Sequence, residues 1–213
     1  MSNDLRERIL TEALGDIPYG GFSQAVLNRA AEKLGASPAD MKAAFPNGPA
    51  SLVEAFSEWA DARVAEKMKA FRDAPMRERV AEAVRARIEA LAEHKDAARR
   101  AAAFLAMPMH APLGAKLLYR AVDAMWHAAG DKATDFSFYT KRATLGAVYG
   151  ATMLYWLADS SEGNSATWAF LDNRVQEVMH IEKWRKSAEN LASHIPDPFE
   201  VLGAIRSGMR KPT

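Results

Sequence analysis

Residues 22–56 read FSQAVLNRAAEKLGASPADMKAAFPNGPASLVEAF, and this stretch decides the fold. Ser23 has the chemistry of an N-cap for a helix running to Leu34, and Gly35 supplies its stop. Ser37-Pro38-Ala39-Asp40 opens the next helix. A hydroxyl serves as cap, proline sits at the first helical position where no N–H is needed, and an acidic residue follows near the exposed amides. That helix is short, from Pro38 to about Ala44, because Phe45-Pro46-Asn47-Gly48-Pro49 breaks it. From about Ala50, Leu52, Phe56, Trp59 and Val64 return at helical spacing, which predicts a long helix to Phe71.

The same periodicity extends in both directions. Upstream, Leu5, Ile9 and Ala13 share one face of a helix from about Asp4 to Leu14, followed by Gly15 and a loop at Pro18-Tyr19-Gly20-Gly21. Downstream, helices are predicted over Met76–Ala92 and Lys95–Ala106. Met107-Pro108-Met109-His110-Ala111-Pro112 breaks the pattern, which resumes over Leu113–Ala129 and about Phe136–Ala158. A ninth helix is expected from Ser165 to about Leu191. In the tail, Asp197 as cap and Pro198 at the first position mark a last helix to about Ser207. No run alternates apolar and polar residues between turns, so the fold class is all-α. The expected organisation is a helix-turn-helix-like head over 1–49, a helical body over 50–195 and an amphipathic tail over 196–213.

Composition narrows the chemistry. The chain has 213 residues, of which 49% are hydrophobic, as in an ordinary globular protein with a sizeable core. Lys plus Arg number 28 and Asp plus Glu 27, a net charge of +1 that gives no global case for an anionic partner. There is no cysteine, which excludes disulfides, thiolate catalysis and thiolate-bound metals. The N-terminus, Met1-Ser2-Asn3-Asp4-Leu5-Arg6-Glu7, mixes charge signs and lacks the apolar stretch of a signal peptide. A cytoplasmic protein, peripheral at the inner membrane, is the expectation.

Three short helices ahead of a longer helical body resemble the TetR superfamily of repressors. Phe45-Pro46-Asn47, with Leu52 and Phe56 after it, is similar to that superfamily's aromatic turn and the helix entry behind it. A DNA-reading head gains affinity by neutralising phosphates. Residues 1–49 hold Arg6, Arg8, Arg29, Lys33 and Lys42 against Asp4, Glu7, Glu12, Asp16, Glu32 and Asp40, a net charge of −1. The helix placed to read bases offers Lys42 but no Arg, Asn or Gln. DNA is therefore not the expected partner, and a ligand-responsive repressor is the alternative reading.

Catalytic signals are sparse. Glu177 and His180 have the Glu-x-x-His spacing that places two ligands on one helix face, but a di-iron site needs a second such pair and further carboxylates. No catalytic residue, metal or cofactor is expected. The apolar residues of the middle helices are more informative: methionines and aromatics at helical spacing form either plain core or a gap that holds an apolar ligand, because Met repacks around irregular shapes. The tail stripe also has two readings. Phe199, Leu202, Ile205 and Met209, flanked by Arg206 and Arg210, fit either a helix packed on the body or one lying in a membrane interface.

A more specific resemblance runs from Asp123 through Trp126, Gly130-Asp131 and Thr134-Asp135-Phe136-Ser137-Phe138-Tyr139-Thr140-Lys141-Arg142. It continues through Tyr149, Trp156, Asp159-Ser160-Ser161 and Thr167-Trp168-Ala169-Phe170-Leu171-Asp172-Asn173-Arg174-Val175. These residues resemble the lipid-binding family of ubiquinone biosynthesis, the ninth coenzyme Q biosynthesis protein, nearly end to end. The resemblance implies a TetR-like fold without repressor or enzyme activity. It implies a pocket for an isoprenoid quinone or other lipid, here assigned to Leu105, Met107, Met109, Leu113, Leu117, Leu118, Val122, Trp126, Tyr149, Met153 and Trp156. It also implies a di-iron demethoxyubiquinone hydroxylase as partner, meeting Asp135, Phe138, Tyr139, Lys141 and Arg142. The family often carries Trp where this chain has Phe138, which implies an altered partner contact or a different partner. The tail residues Phe199, Leu202, Ile205, Arg206, Met209 and Arg210 would engage the membrane surface. A homodimer is expected through the eighth and ninth helices, with Ala143, Ala147 and Gly150 as a close-approach stripe.

Overall fold

A computed structural model describes residues 2–131 and 137–178. Among them the order is α1 (Ser2–Leu14), α2 (Ile17–Gly20), α3 (Gln24–Lys33), α4 (Pro38–Ala44), α5 (Pro49–Lys67), α6 (Met76–Ala92), α7 (Lys95–Leu105), α8 (Ala111–Ala128) and α9 (Ser137–Ala158). Single 3₁₀ turns follow α5 at Met68–Phe71 and α7 at Pro108–His110, and another lies at Glu162–Asn164. No strand occurs among the described residues. The chain divides into two compact units, Met1–Asp172 and Asn173–Thr213. Residues 165–172 are helical and close the first unit; 173–178, the described part of the second, are helical as well.

The head is built as its caps dictate. Ser23 Oγ accepts from the Val26 amide at 3.4 Å, and Ser37 Oγ from the Asp40 amide at 3.2 Å, satisfying amides that the first turn leaves open. Gly35 takes φ +65°, and the Ala36 amide reaches back to the Ala31 carbonyl at 3.0 Å, closing α3 with a left-handed residue. Ile9, Leu10, Ala13, Val26, Leu27 and Phe45 are buried between α1, α3 and the start of α5. Arg6 fastens the head to the body. Its Nη1 donates to the Ala44 carbonyl at 2.6 Å, its Nη2 lies 3.3 Å from Glu58, and its guanidinium sits over the Phe45 ring.

The body centres on α5, which packs against α1, α3, α6 and α8, while α8 and α6 each pack on α9. Two expectations are corrected. The loop expected at Pro18–Gly21 is largely a helical turn, α2, because Pro18 falls in the first turn of that helix, where it fits. The break at Met107–Pro112 is shorter than expected. Its centre is a 3₁₀ turn, and α8 begins at Ala111 with Pro112 inside its first turn. α7 and the segment Pro108–Ala128 meet at 94°, so the chain turns a corner there. No single helix among the described residues is long and apolar enough to cross a membrane.

Candidate functional site

The corner between α7 and α8 leaves a cavity of about 280 Å³ inside the body. Five helices wall it. Val53 and Phe56 come from α5, Arg87 and Leu91 from α6, and Ala98, Ala101, Ala102 and Leu105 from α7. α8 contributes Gly114, Leu117, Leu118 and Ala121, and α9 contributes Tyr149, Gly150, Met153, Leu154 and Leu157. Small residues make the room: an added Cβ on Gly150 would meet no atom within 4 Å. Exposure along the wall locates the opening. Leu118 is 39% exposed and Leu154 67%, whereas Val53, Phe56, Leu91, Leu117 and Ala121 are buried. The mouth therefore lies between α8 and α9, and the floor lies against α5 and α6.

The floor is polar in an otherwise apolar chamber. Arg87 is 4% exposed and Tyr149 6%. Arg87 Nε donates to Asp61 Oδ1 at 2.8 Å, its Nη2 donates to Ser57 Oγ at 2.9 Å, and its Nη1 donates to the Tyr149 hydroxyl. Burial works against the Arg87 charge, but Tyr149 and Asp61 hold it in place, and the net shift of its pKa is upward. Burial likewise pushes the Tyr149 phenol up, against the lowering effect of Arg87, so it remains protonated at neutral pH.

Of the residues assigned to lipid binding, Leu105, Leu117, Leu118, Tyr149 and Met153 line this cavity together. The others stand elsewhere. Val122, Trp126 and Trp156 are buried in the core, Leu113 is half-buried, and Met107 and Met109 are exposed at the corner, Met109 by 78%. Gly150, expected on the close-approach stripe, lines the cavity, while Ala143 and Ala147 are exposed on α9. Sequence reasoning missed Arg87, although a signal existed. It lies three residues after Val84 and four before Leu91, a charge in the middle of an apolar face.

The stretch assigned to a partner behaves differently. Tyr139 is exposed at the start of α9. Arg142, 6% exposed, places Nε 2.8 Å and Nη2 2.7 Å from Asp123 Oδ1 on α8. Lys141 Nζ lies 3.1 Å from Asp131 and 5.7 Å from the centre of the Trp126 ring. These two cations thus tie α9 to α8 and to the residues after it. Asp135 and the Phe138 side chain lie outside the described residues, as do His180 and the tail residues Phe199, Leu202, Ile205, Arg206, Met209 and Arg210. A third group of the residues that carry the resemblance forms a turn after α9. Asp159 accepts from Thr167 Oγ at 2.5 Å and from the amides of Ser161 and Thr167 at 2.8 and 3.0 Å. Among the described residues, no group of three or more carboxylate or imidazole side chains is placed to hold a metal ion.

Comparison with known proteins bears on the same regions. The COQ9 family model matches residues 111–182, which include α8, the mouth and the Asp159 turn. The chain is 33% identical over 195 residues to the human mitochondrial ubiquinone biosynthesis protein COQ9, covering 87% of this chain and 61% of that protein. It is 31% identical over 193 residues to the Drosophila melanogaster protein of the same name, 88% of this chain and 59% of the relative. For COQ9-B of Xenopus laevis the identity is 35% over 188 residues, 82% and 62%. The chain thus spans about 60% of the length of these relatives. A solved TetR transcriptional regulator from Nitrosomonas europaea superposes with a TM-score of 0.65 at 22% identity, over 82% of this chain and 97% of that one. At that identity the likeness concerns the fold alone. Over most of its own length the chain is thus similar to the COQ9 ubiquinone biosynthesis proteins, whose family model matches residues 111–182, and its fold is all-α and TetR-like.

Proposed function

We propose that this protein is a non-enzymatic accessory protein of ubiquinone biosynthesis that binds an isoprenoid quinone or its precursor. In this reading it presents the bound lipid, at the membrane, to the hydroxylase that acts on demethoxyubiquinone. The observation that carries the reading is the apolar cavity of about 280 Å³ opening between α8 and α9. An isoprene unit's apolar surface, on the order of 100 Å², is worth about 2.5 kcal/mol when buried. A bilayer already provides that burial, so transfer into the cavity is nearly neutral. Near-neutral transfer suits a protein that picks up and hands on a lipid. The kinship with COQ9 proteins supplies the biosynthetic setting.

The head supports a role without DNA. Lys33 is 2.8 Å from Glu12, Arg29 is 3.3 Å from Asp16, and Arg6 is held by the Ala44 carbonyl and Glu58. Exposed pairs of this kind are weak, but with six acidic residues against five basic ones the head offers phosphate little net attraction. Partner contact is assigned to the exposed face around Tyr139, with Arg142 and Lys141 holding that face in position, and homodimer contact to the outer face of α9 at Ala143 and Ala147.

The test uses gently purified full-length protein, with lipid extraction and mass spectrometry. The expected result is an isoprenoid lipid in the wild type and its loss in Gly150→Leu, whose side chain enters open cavity space and spares the fold. Recovering no lipid from the wild type, or equal lipid from the variant, would overturn the reading.

A further inference from the structure

The floor of the cavity holds hydrogen-bond donors that the fold itself does not use. A guanidinium carries five N–H donors in a planar fork. In Arg87, Nε–H goes to Asp61, one Nη1–H to Tyr149 and one Nη2–H to Ser57. That leaves one N–H on each terminal nitrogen without a protein acceptor among the described residues. The Tyr149 oxygen accepts from Arg87, so its own O–H is also unspent. Arg87, Tyr149 and Ser57 all line the cavity. A purely packing role would not need a cation so placed, because a buried charge is costly unless fully satisfied.

The charge balance at the floor decides what kind of acceptor fits. Asp61 already neutralises Arg87 across 2.8 Å. An anionic head would have to shed its water in an apolar chamber and then sit beside a carboxylate. An uncharged oxygen meets neither cost.

We propose that the cavity takes its ligand head-first, and that the head is an uncharged carbonyl-type oxygen received by Arg87 and Tyr149, with the apolar tail leaving between Leu118 and Leu154. The proposal rests on the apolar-ligand reading above and sharpens it: a neutral ring or chain carbonyl is selected over a carboxylate or phosphate head. Tyr149 stays protonated because burial raises its pKa, which keeps its O–H available as a donor.

The test measures binding of three probes with comparable three-isoprene tails by native mass spectrometry. They are farnesylacetone with a ketone head, farnesoate with a carboxylate, and farnesene with no head. The wild type is expected to bind the ketone about tenfold better than either of the others, the scale of a desolvated hydrogen bond. Tyr149→Phe should bring the ketone to within about threefold of farnesene. Gly150→Leu should weaken all three alike, which places them in the cavity. Equal binding of ketone and farnesene, preference for farnesoate, or a Tyr149→Phe profile like the wild type would each overturn the head-first proposal. Binding that survives Gly150→Leu would also overturn it, because the probes would then sit elsewhere. Failure of all three probes to bind the wild type would instead overturn the apolar-ligand reading itself.

Discussion

Asp159 shows that a residue quoted for a family resemblance can serve the fold alone. Its carboxylate takes three hydrogen bonds from Ser161 and Thr167, and its carbonyl accepts from Lys95 Nζ at 2.6 Å. The Thr167 hydroxyl and the Ser161 amide hold its pKa well below the usual carboxylate range. A carboxylate depressed by folding adds stability that is complete above the unfolded value, about 3.9, and is lost as pH falls through the folded one. Thermal melts of wild type and Asp159→Asn should therefore differ by a constant amount from neutral pH down to about pH 5, and the difference should shrink below about pH 4. A gap that stays the same down to pH 3 would remove the carboxylate from this role. Sequence spacing could not reveal it. Asp159 and Thr167 are separated by eight positions across a kinked turn, where Gly163 has φ +61°, and no helical or strand period relates them. Arg87 is the opposite case, because its misfit on an apolar helix face was readable.

At the scale of elements, the caps carried the most information. Helices α4 and α6 fall on their predicted bounds, Pro38–Ala44 and Met76–Ala92, because proline at or just before the first turn and a clear break define each. Where proline sits inside a first turn, as in α2 and α8, reading it as a breaker lengthened the loop. Which side of α9 faces inward was harder to read. Tyr149 and Gly150 are consecutive, so a helix with apolar residues nearly all round gives a weak stripe, and only packing shows that both reach the cavity. The pairing of α8 with α9 depends on Arg142, which is buried beside Asp123 and within 4.0 Å of Asp131. Arg142→Gln takes the guanidinium from Asp123 and leaves Asp131 with Lys141 alone, and should cost about 2 kcal/mol, read as a lower denaturant midpoint with an unchanged slope. A midpoint equal to the wild type's would mean that Arg142 serves recognition and not the α8–α9 joint.

For the whole molecule, the cavity's size constrains how the proposed role could handle a long lipid. About 280 Å³ lies near the lower end for sites that enclose a drug-sized ligand, so a ring and a short stretch of chain fit and a longer polyprenyl tail does not. The remaining tail must stay covered by something apolar, and a membrane beside the mouth meets that need without a larger pocket. The sequence of the C-terminal tail suits that contact. Phe199, Leu202, Ile205 and Met209 recur at helical spacing, with Arg206 and Arg210 beside them, the pattern of a helix that lies in a bilayer interface and is drawn to anionic lipid. So short a segment would bind weakly and reversibly, as the proposed carrier role requires. Deleting residues 197–213 should reduce sedimentation with anionic liposomes several-fold while leaving the helical fold intact by far-ultraviolet circular dichroism and farnesylacetone binding at the wild-type level. Raising salt should weaken the wild type's liposome binding and change the truncated protein's little, since the arginines would be gone. Undiminished sedimentation of the truncated protein would move membrane contact to the body. The exposed methionines Met107 and Met109, at the corner between α7 and α8, would then be the next residues to replace.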